Sequence, residues 1–130
     1  MTEKVKICIV DDDAAIRDAL QLLLKMSGYS VQAYESAKDF LQSEALVDCG
    51  CVVTDIRMPD MDGLELQQEI SRRKLAIPMI VMTGHGDVPL AVRAMKAGAI
   101  DFLEKPFAEE GLLESIRAAL LSRKLSLIHI

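Results

Sequence analysis

The sequence predicts an α/β protein with a doubly wound, five-stranded parallel sheet and helices on both faces. Five short apolar segments of strand length alternate with five segments that carry apolar residues at helical spacing, and turn residues separate them. Strands that alternate with helices form parallel sheets, because each crossover helix returns the chain to the same edge of the sheet. A chain of 130 residues is one domain, long enough to bury a core.

The first half of the chain contains three of the predicted strands and two of the helices. The strands are VKICIV (5–10), YSVQAY (29–34) and CVVT (51–54). Asp12 or Asp13 is the expected N-cap of the first helix, and Gly28 ends it. Ser36 is the expected cap of the second helix, SAKDFLQSE. The apolar face of the first helix consists of Ile16, Leu20, Leu23 and Leu24.

The second half continues the alternation of helices and strands. GLELQQEISRRK (63–74) is a helix with Leu64, Leu66 and Ile70 on one face, and its basic end complements the helix dipole. PMIVM (78–82) is the fourth strand. VPLAVRAMKAG (88–98) is a helix with Pro in its first turn and Gly98 at its end. The fifth strand and the final helix are AIDFLE (99–104) and EEGLLESIRAALLSRK (109–124).

Composition argues against several classes of function. With a net charge of −5 and scattered cations, this segment is not expected to bind nucleic acid directly. No apolar run reaches the roughly 18 residues of a membrane span, and the N-terminus does not resemble a secretory signal, so we expect a cytoplasmic protein with no membrane contact.

Cys8, Cys49 and Cys51 suit reduced core thiols. A metal site that begins at Cys49-x-Cys51 is the less favoured alternative, because no further Cys or His lies nearby in sequence.

Polar residues stand where four of the predicted strands end. In open parallel sheets the functional crevice lies beyond the carboxyl ends of the strands. We therefore expect these side chains to converge at one edge: Asp11, Asp12 and Asp13 after the first strand, Asp55 after the third, Thr83 after the fourth and Lys105 after the fifth.

The chemistry of these residues predicts a phosphoryl site. Carboxylates gathered without partners repel one another, so Asp11, Asp12 and Asp55 together need a cation, and Mg2+ favours such oxygen ligands. Lys105 supplies a second positive charge and Thr83 a hydroxyl donor. Such a set can hold a phosphoryl group while one carboxylate attacks it. Taken singly, each residue has an ordinary explanation: Asp13 is best explained as a helix cap, Thr83 as a turn residue and Lys105 as a solvated side chain.

Four motifs give the chain, from about residue 5 to about 122, its resemblance to a known family. They are IVDDD (9–13), VVTDIRMPDMDG (52–63), PMIVMTGHGD (78–87) and MKAGAIDFLEKPF (95–107). They resemble those of response-regulator receiver domains, the phosphoacceptor half of bacterial two-component signalling. Residues 83–107 are similar in particular to receivers of the FixJ type, whose full-length members carry a helix-turn-helix output domain. The resemblance implies the flavodoxin-like receiver fold, with strand order 2-1-3-4-5.

The resemblance also implies a role for each residue of the site. Asp55 would be the phosphoacceptor, receiving a phosphoryl group from a sensor histidine kinase. Mg2+ would be bound by Asp55, by Asp12 directly, by Asp11 largely through water, and by the backbone carbonyl of Arg57.

Further residues would respond to the phosphoryl group or tune its lifetime. Thr83 would bond a phosphoryl oxygen after transfer, and Lys105, followed by a Pro106 that is often cis in the family, would pair with it. Phe102 occupies the position of a switching aromatic, which in many relatives is Tyr, or is an ordinary core residue. Arg57 and His85 occupy positions where family members tune hydrolysis, and for His85 an ordinary loop residue is an equal alternative.

The resemblance implies a signalling protein rather than an enzyme that turns over a separate substrate. It would catalyse its own phosphotransfer and slow dephosphorylation. Its output, expected to be transcription, would be controlled through the face of the fourth helix, fifth strand and fifth helix, where a homodimer can form on phosphorylation. The output DNA-binding domain is absent from this sequence, so we expect a stand-alone regulator or an excised fragment. Residues 1–124 would be the receiver domain and 125–130 a tail, either a truncated linker or a cloning remnant.

Three other protein classes fit the motifs less well. A degenerate receiver, acting only as a dimerisation or docking module, would be expected to lack Asp55, Thr83 or Lys105, and all three are present. A phosphatase of the haloacid-dehalogenase type would have a second Asp two residues after the nucleophile, where Arg57 stands. A dinucleotide enzyme would have Gly-x-Gly-x-x-Gly after its first strand, and the sequence has neither that motif nor a P-loop there.

Overall fold

Five parallel strands form one sheet in the order β2-β1-β3-β4-β5. The structure is a computed structural model that describes residues 5–84 and 86–128, with side chains described through Arg123. The predicted fold class and strand order are both confirmed. The strands are β1 (Lys6–Val10), β2 (Ser30–Tyr34), β3 (Cys49–Asp55), β4 (Met79–Thr83) and β5 (Asp101–Glu104).

Helices connect each strand to the next, and one more helix follows β5. A 3-10 helix (Glu44–Asp48) lies between α2 and β3. Among the described residues, no helix is both long enough and apolar enough to cross a membrane. The α-helices are α1 (Ala14–Met26), α2 (Ala37–Leu41), α3 (Gly63–Arg72), α4 (Val88–Lys96) and α5 (Glu109–Ile128).

Side-chain caps fix where the first three helices begin. Asp13 caps α1, because its carboxylate accepts a hydrogen bond of 2.9 Å from the Ala15 N–H, which leaves Asp12 free for another role. Ser36 caps α2 as predicted. Asp62 and Glu65 form a reciprocal capping box at the start of α3 that the sequence reading did not identify.

Two helices differ most in length from their predictions, while α3 and α4 each end two residues early, at Arg72 and Lys96. The second was expected to run through SAKDFLQSE, but α2 ends at Leu41 and the chain turns into the 3-10 helix. Ser43 caps that 3-10 helix and also bonds the Tyr34 hydroxyl at 2.6 Å, so the chain is redirected at this point. At the other end of the chain, α5 continues four residues beyond Lys124 to Ile128, and residues 129 and 130 lie outside the described part.

The sheet separates two apolar layers. On one face, α2, α3 and α4 pack Phe40, Leu66 and Ala94 against β1, β3 and β4. On the other face, α1 and α5 contribute Leu24 and Ile116. Both layers bury large apolar side chains, so the sheet is held rigidly from both sides and its strand ends are fixed points.

The three cysteines are part of this core. Cys8, Cys49 and Cys51 are buried and carry free thiols, as predicted. Cys8 and Cys49 face one layer and Cys51 faces the other. Burial raises the pKa of the Cys51 thiol to about 12, so this thiol is protonated at neutral pH and unreactive.

Candidate functional site

Asp11 is the innermost acid of the site. It follows β1, the strand between β2 and β3, and its backbone N–H donates to the Tyr34 carbonyl at 3.1 Å. Its side chain is fully buried, and one carboxylate oxygen accepts a 2.9 Å hydrogen bond from the Asp13 N–H. The Arg17 guanidinium donates to the Asp11 backbone carbonyl at 2.8 Å. The position of Asp11 is thus fixed by both its backbone and its side chain.

Asp55 is the last residue of β3, and its side chain is 14% exposed. The chain then turns so closely into α3 that a Cβ on Gly63 would lie 3.0 Å from the Asp55 carbonyl oxygen. Glycine is therefore favoured at position 63, and the close turn leaves the Asp55 carboxylate at the open edge of the sheet.

Three carboxylates meet at this edge. Oxygen atoms of Asp11, Asp12 and Asp55 all lie within 4.8 Å of one another. Asp11 is buried, Asp55 is partly buried and Asp12 is exposed, so the cluster opens to solvent on the side of Asp12. Hard oxygen ligands in this number are typical of a divalent cation site.

Lys105 compensates part of this negative charge. Its ammonium lies 3.1 Å from an Asp11 oxygen and 3.4 Å from an Asp55 oxygen, and its side chain is 23% exposed. Its backbone N–H donates to the Thr83 carbonyl at 2.7 Å, and its peptide bond to Pro106 is cis. The contact with Thr83 ties the loop after β5 to the end of β4.

The ionisation of the site follows from this arrangement. Burial raises the pKa of the Asp55 carboxyl; the Asp11 charge raises it further, while Lys105 and the Arg57 backbone N–H act in the opposite direction. For Lys105, burial lowers the pKa, but the Asp55 and Asp11 carboxylates more than offset this and the pKa is raised. Lys105 is therefore charged at neutral pH. The ionised form of Asp55 is disfavoured by burial and by the Asp11 charge, and a further cation in the cluster would stabilise it.

Thr83 is the last residue of β4. This strand lies next to β3, which ends in Asp55 of the acidic cluster. Its side chain is fully buried, and its hydroxyl donates a long 3.5 Å hydrogen bond to the Leu103 carbonyl. A contact of this length is weak, so the hydroxyl can exchange it for a better acceptor at little cost.

Three further residues were predicted to tune hydrolysis of the phosphoryl group or to respond to it: Arg57, Phe102 and His85. Arg57 sits in the loop after β3, two residues beyond Asp55, and its guanidinium forms an ion pair with Asp87, Nε to Oδ1, at 2.6 Å. Phe102 is partly buried on β5 and packs against the core layer of α2, α3 and α4. His85 lies outside the described residues.

An apolar cavity of about 600 Å³ borders the site between α1 and the loop after β5. Ile16 and Leu23 of α1 form one side and Pro106 and Phe107 the other, and Lys105, whose ammonium contacts Asp11 and Asp55, is part of the lining. The sequence predicted that Ile16 and Leu23 lie on one apolar face of α1, but not that they border a cavity. Neither the cavity nor the partner of Arg57, Asp87, was predicted, because both depend on how distant segments meet in space.

The sequence is similar to proteins of one known family. Residues 7–117 match the family described as the response regulator receiver domain. The transcriptional regulatory protein FixJ of Azorhizobium caulinodans is 50% identical over 120 residues, which cover 92% of this chain and 57% of FixJ.

Solved structures give the same result. The crystal structure of FixJ-N superposes with a TM-score of 0.83 at 46% identity, covering 92% of this chain and 95% of that one. Full-length FixJ from B. japonicum superposes with a TM-score of 0.87 at 46% identity, covering 97% of this chain and 62% of that one. The chain thus spans a little over half the length of these full-length relatives.

Proposed function

The chain belongs to the response regulator receiver domain family, and we propose from its site that Asp55 accepts a phosphoryl group from a sensor histidine kinase. It is a phosphorylatable signalling switch of the FixJ type, as the sequence predicted. The observation that carries the choice of Asp55 is its place at the open end of β3, next to two further carboxylates and an ammonium group. A fixed, partly exposed carboxylate in such a setting suits in-line attack on phosphorus.

The acidic cluster suits Mg2+. Three carboxylates within 4.8 Å offer hard oxygen ligands, and the single Lys105 does not neutralise all of them. Asp12 and Asp55 would bind the ion directly, Asp11 largely through water, and the Arg57 backbone carbonyl would complete the protein's share. When bound, Mg2+ would neutralise charge on the carboxylates and on the oxygens of an incoming phosphoryl group.

In the transfer step, an Asp55 oxygen forms a bond to phosphorus while the bond from phosphorus to the donor nitrogen breaks and its electron pair leaves with the imidazole. Lys105, already 3.4 Å from Asp55, stabilises negative charge on the phosphoryl oxygens. The domain thereby catalyses its own phosphorylation, and slow attack by water on the same phosphorus reverses it. Arg57 and His85 are proposed to set the rate of that hydrolysis.

After transfer, Thr83 is proposed to read the phosphoryl group. Its hydroxyl would leave the weak 3.5 Å contact with the Leu103 carbonyl and donate to a phosphoryl oxygen. This moves the start of the loop between β4 and α4. Phe102, partly buried against the core layer of α2, α3 and α4, would respond through the burial of its ring, because it has no hydroxyl to bond.

The output of the switch is proposed to pass through the face formed by α4, β5 and α5. Val88, Val92 and Met95 are exposed apolar residues at helical spacing on α4, which supports a phosphorylation-dependent homodimer there. By analogy with the longer relatives, named as transcriptional regulators, the process controlled is transcription. Residues 1–124 are proposed as the receiver domain and 125–130 as a tail.

The kinase is proposed to approach over α1. The apolar cavity between α1 and the loop after β5 opens beside Lys105 and the carboxylates, so a helix that carries a phosphohistidine could dock there. A cytoplasmic location suits both this partner and the three reduced, buried thiols.

Acetyl phosphate with Mg2+ tests the proposal. The wild type should gain the mass of one phosphoryl group, labile to hydroxylamine as an acyl phosphate is, and Asp55→Asn should gain none. Asp60→Asn is a matched control, since Asp60 is an exposed acid of the same loop at φ 69°, a conformation that Asn tolerates. An unlabelled wild type, with Asp60→Asn equally unlabelled, would favour a degenerate receiver that acts only as a docking module.

A further inference from the structure

The start of α4 differs from the start of the three helices before it. Those helices are each preceded by a residue with extended backbone whose side chain accepts a hydrogen bond from the first turn: Asp13, Ser36 and Asp62, with ψ of 113°, 156° and 177°. Asp87, the residue before α4, has a suitable side chain but a ψ of 15° and no side-chain cap hydrogen bond. Aspartate is among the strongest capping residues, so its failure to cap needs a cause.

The cause lies in the partner of the carboxylate. Asp87 Oδ1 accepts from the Arg57 Nε at 2.6 Å, and Oδ2 would be 3.6 Å from a Cβ placed on Gly84. The Asp87 side chain, 14% exposed, therefore points back toward the loops at the strand ends and away from the first turn of α4. The ion pair and the cap require opposite directions of the same side chain.

Arg57 connects this ion pair to the phosphoacceptor. Arg57 lies two residues after Asp55, in the loop that leaves β3, so the guanidinium extends from the loop that carries the phosphoacceptor. The Arg57 side chain is 68% exposed, and ion pairs at such positions are weak. A phosphoryl group on Asp55, two residues before Arg57 in the chain, would add close to two negative charges and strong acceptor oxygens to attract this guanidinium.

We propose that Asp87 is a positioning residue with two alternative partners: Arg57 in the unphosphorylated domain, and the backbone of α4 once Asp55 carries a phosphoryl group. The inference rests on the proposed phosphorylation of Asp55. When the guanidinium turns to the phosphoryl oxygens, the Asp87 carboxylate is left without its cation and caps α4 instead.

The first turn of α4 allows only one recipient for this cap. Pro89 has no N–H, which leaves the Leu90 N–H at the third helical position, where capping side chains usually bond. In the present structure the Leu90 N–H donates to the Asp87 backbone carbonyl at 3.0 Å, and the Ala91 N–H donates to the same oxygen at 3.1 Å. Capping requires the ψ of Asp87 to become extended, like that of Asp13, Ser36 and Asp62, and so changes the angle at which α4 leaves the loop.

Four variants separate the two partners of Asp87. Asp87→Asn keeps the capping ability and loses the ion pair, whereas Asp87→Ala loses both. Arg57→Gln removes the cation only. Arg72→Gln is the control, because Arg72 is 71% exposed and pairs with Glu69 of its own helix, α3. The readouts are the Cα chemical shift of Asp87, or of the residue that replaces it, which reports its ψ, amide exchange at Leu90, and the mass of the chain.

Without any phosphodonor, Arg57→Gln and Asp87→Asn should already show an extended shift at position 87 and slower exchange at Leu90. A side-chain cap changes the equilibrium constant for forming the first turn of a helix about fivefold. We therefore expect amide exchange at Leu90 to slow by about the same factor. On phosphorylation the wild type should change in the same direction, while Asp87→Ala should gain the phosphoryl mass but not the change at Leu90. Arg72→Gln should behave as the wild type.

Two results would overturn the inference: unphosphorylated Arg57→Gln and Asp87→Asn with wild-type shifts, or Asp87→Ala with the full phosphorylation-dependent change at Leu90. The first comparison needs no phosphate. Failure of the wild type to gain mass would instead count against the proposed function, and the unphosphorylated variants would still decide between the two positions of Asp87.

Discussion

Replacing Lys105 with methionine is expected to destabilise the unphosphorylated domain, because it leaves two carboxylates without their cation. The ammonium lies 3.1 Å from the fully buried Asp11 and 3.4 Å from Asp55, and methionine keeps most of its apolar stem. A charge-assisted hydrogen bond contributes about 1.5 to 3 kcal/mol. Because the Lys105 side chain is 23% exposed and screened in part, we expect a loss near the lower end, about 2 kcal/mol for both contacts together.

Urea unfolding at pH 7 measures this loss directly, and a loss of about 2 kcal/mol corresponds to a melting temperature lower by roughly 8 °C for a domain of this size. Adding Asp55→Asn to Lys105→Met should recover part of the loss, since one uncompensated charge is removed. Mg2+ should recover part of it as well, by supplying the missing positive charge. Lys38→Met, at an exposed lysine of α2, is the control and should change stability by less than about 0.5 kcal/mol.

The reasoning would be refuted if Lys105→Met and Lys38→Met were equally stable in the absence of Mg2+. It would also fail if Asp55→Asn made Lys105→Met less stable. Either result would mean that Lys105 is held by solvent rather than by the two carboxylates.

Three further predictions concern the acids and the hydroxyl of the site. Asp12→Ala should weaken Mg2+ binding strongly in a fluorescence or calorimetric titration. Asp13→Ala should leave Mg2+ binding nearly intact and cost about 1 kcal/mol of stability, because α1 loses its cap. Equal effects of the two variants on metal affinity would contradict this division of roles. Thr83→Ala should still take the label at Asp55 but show little phosphorylation-dependent change in its amide spectra and dimer content, and a wild-type response would make Thr83 a turn residue only. Because burial raises the pKa of Asp55, its neutral form favours folding at low pH and this contribution is lost as pH rises through the raised pKa. Without Mg2+, Asp55→Asn should therefore gain stability over the wild type as pH increases above about 4, and a difference independent of pH would contradict the pKa shift.

Much of the fold follows from local patterns. The five strands are short apolar runs and most helix ends carry a cap or a glycine, so the strand-helix alternation was visible without tertiary information. Gly28 and Gly98, with φ of 95° and 115°, end α1 and α4 as predicted. The convergence of Asp11, Asp55 and Lys105 also follows, because parallel strands end at one edge.

What the sequence could not supply depends on contacts between distant segments. The partner of Arg57 is 30 residues away in the chain, and nothing local distinguishes Asp87 from an ordinary cap. The cap assignment of α1 did not depend on such contacts: the sequence favoured Asp13 over Asp12 as the cap, and the hydrogen bond from the Ala15 N–H confirms it. The early end of α2 reflects the Tyr34–Ser43 hydrogen bond between a strand and a loop.

The central claim is that Asp55, and neither of the other two acids of the cluster, carries the phosphoryl group. Borohydride reduces an aspartyl phosphate to homoserine, so peptide mapping of the reduced, phosphorylated chain identifies the residue that was modified. We expect homoserine at position 55 alone, dependent on Mg2+ and on the phosphodonor. Homoserine at position 11 or 12, or phosphate retained on a serine or threonine after reduction, would contradict the account.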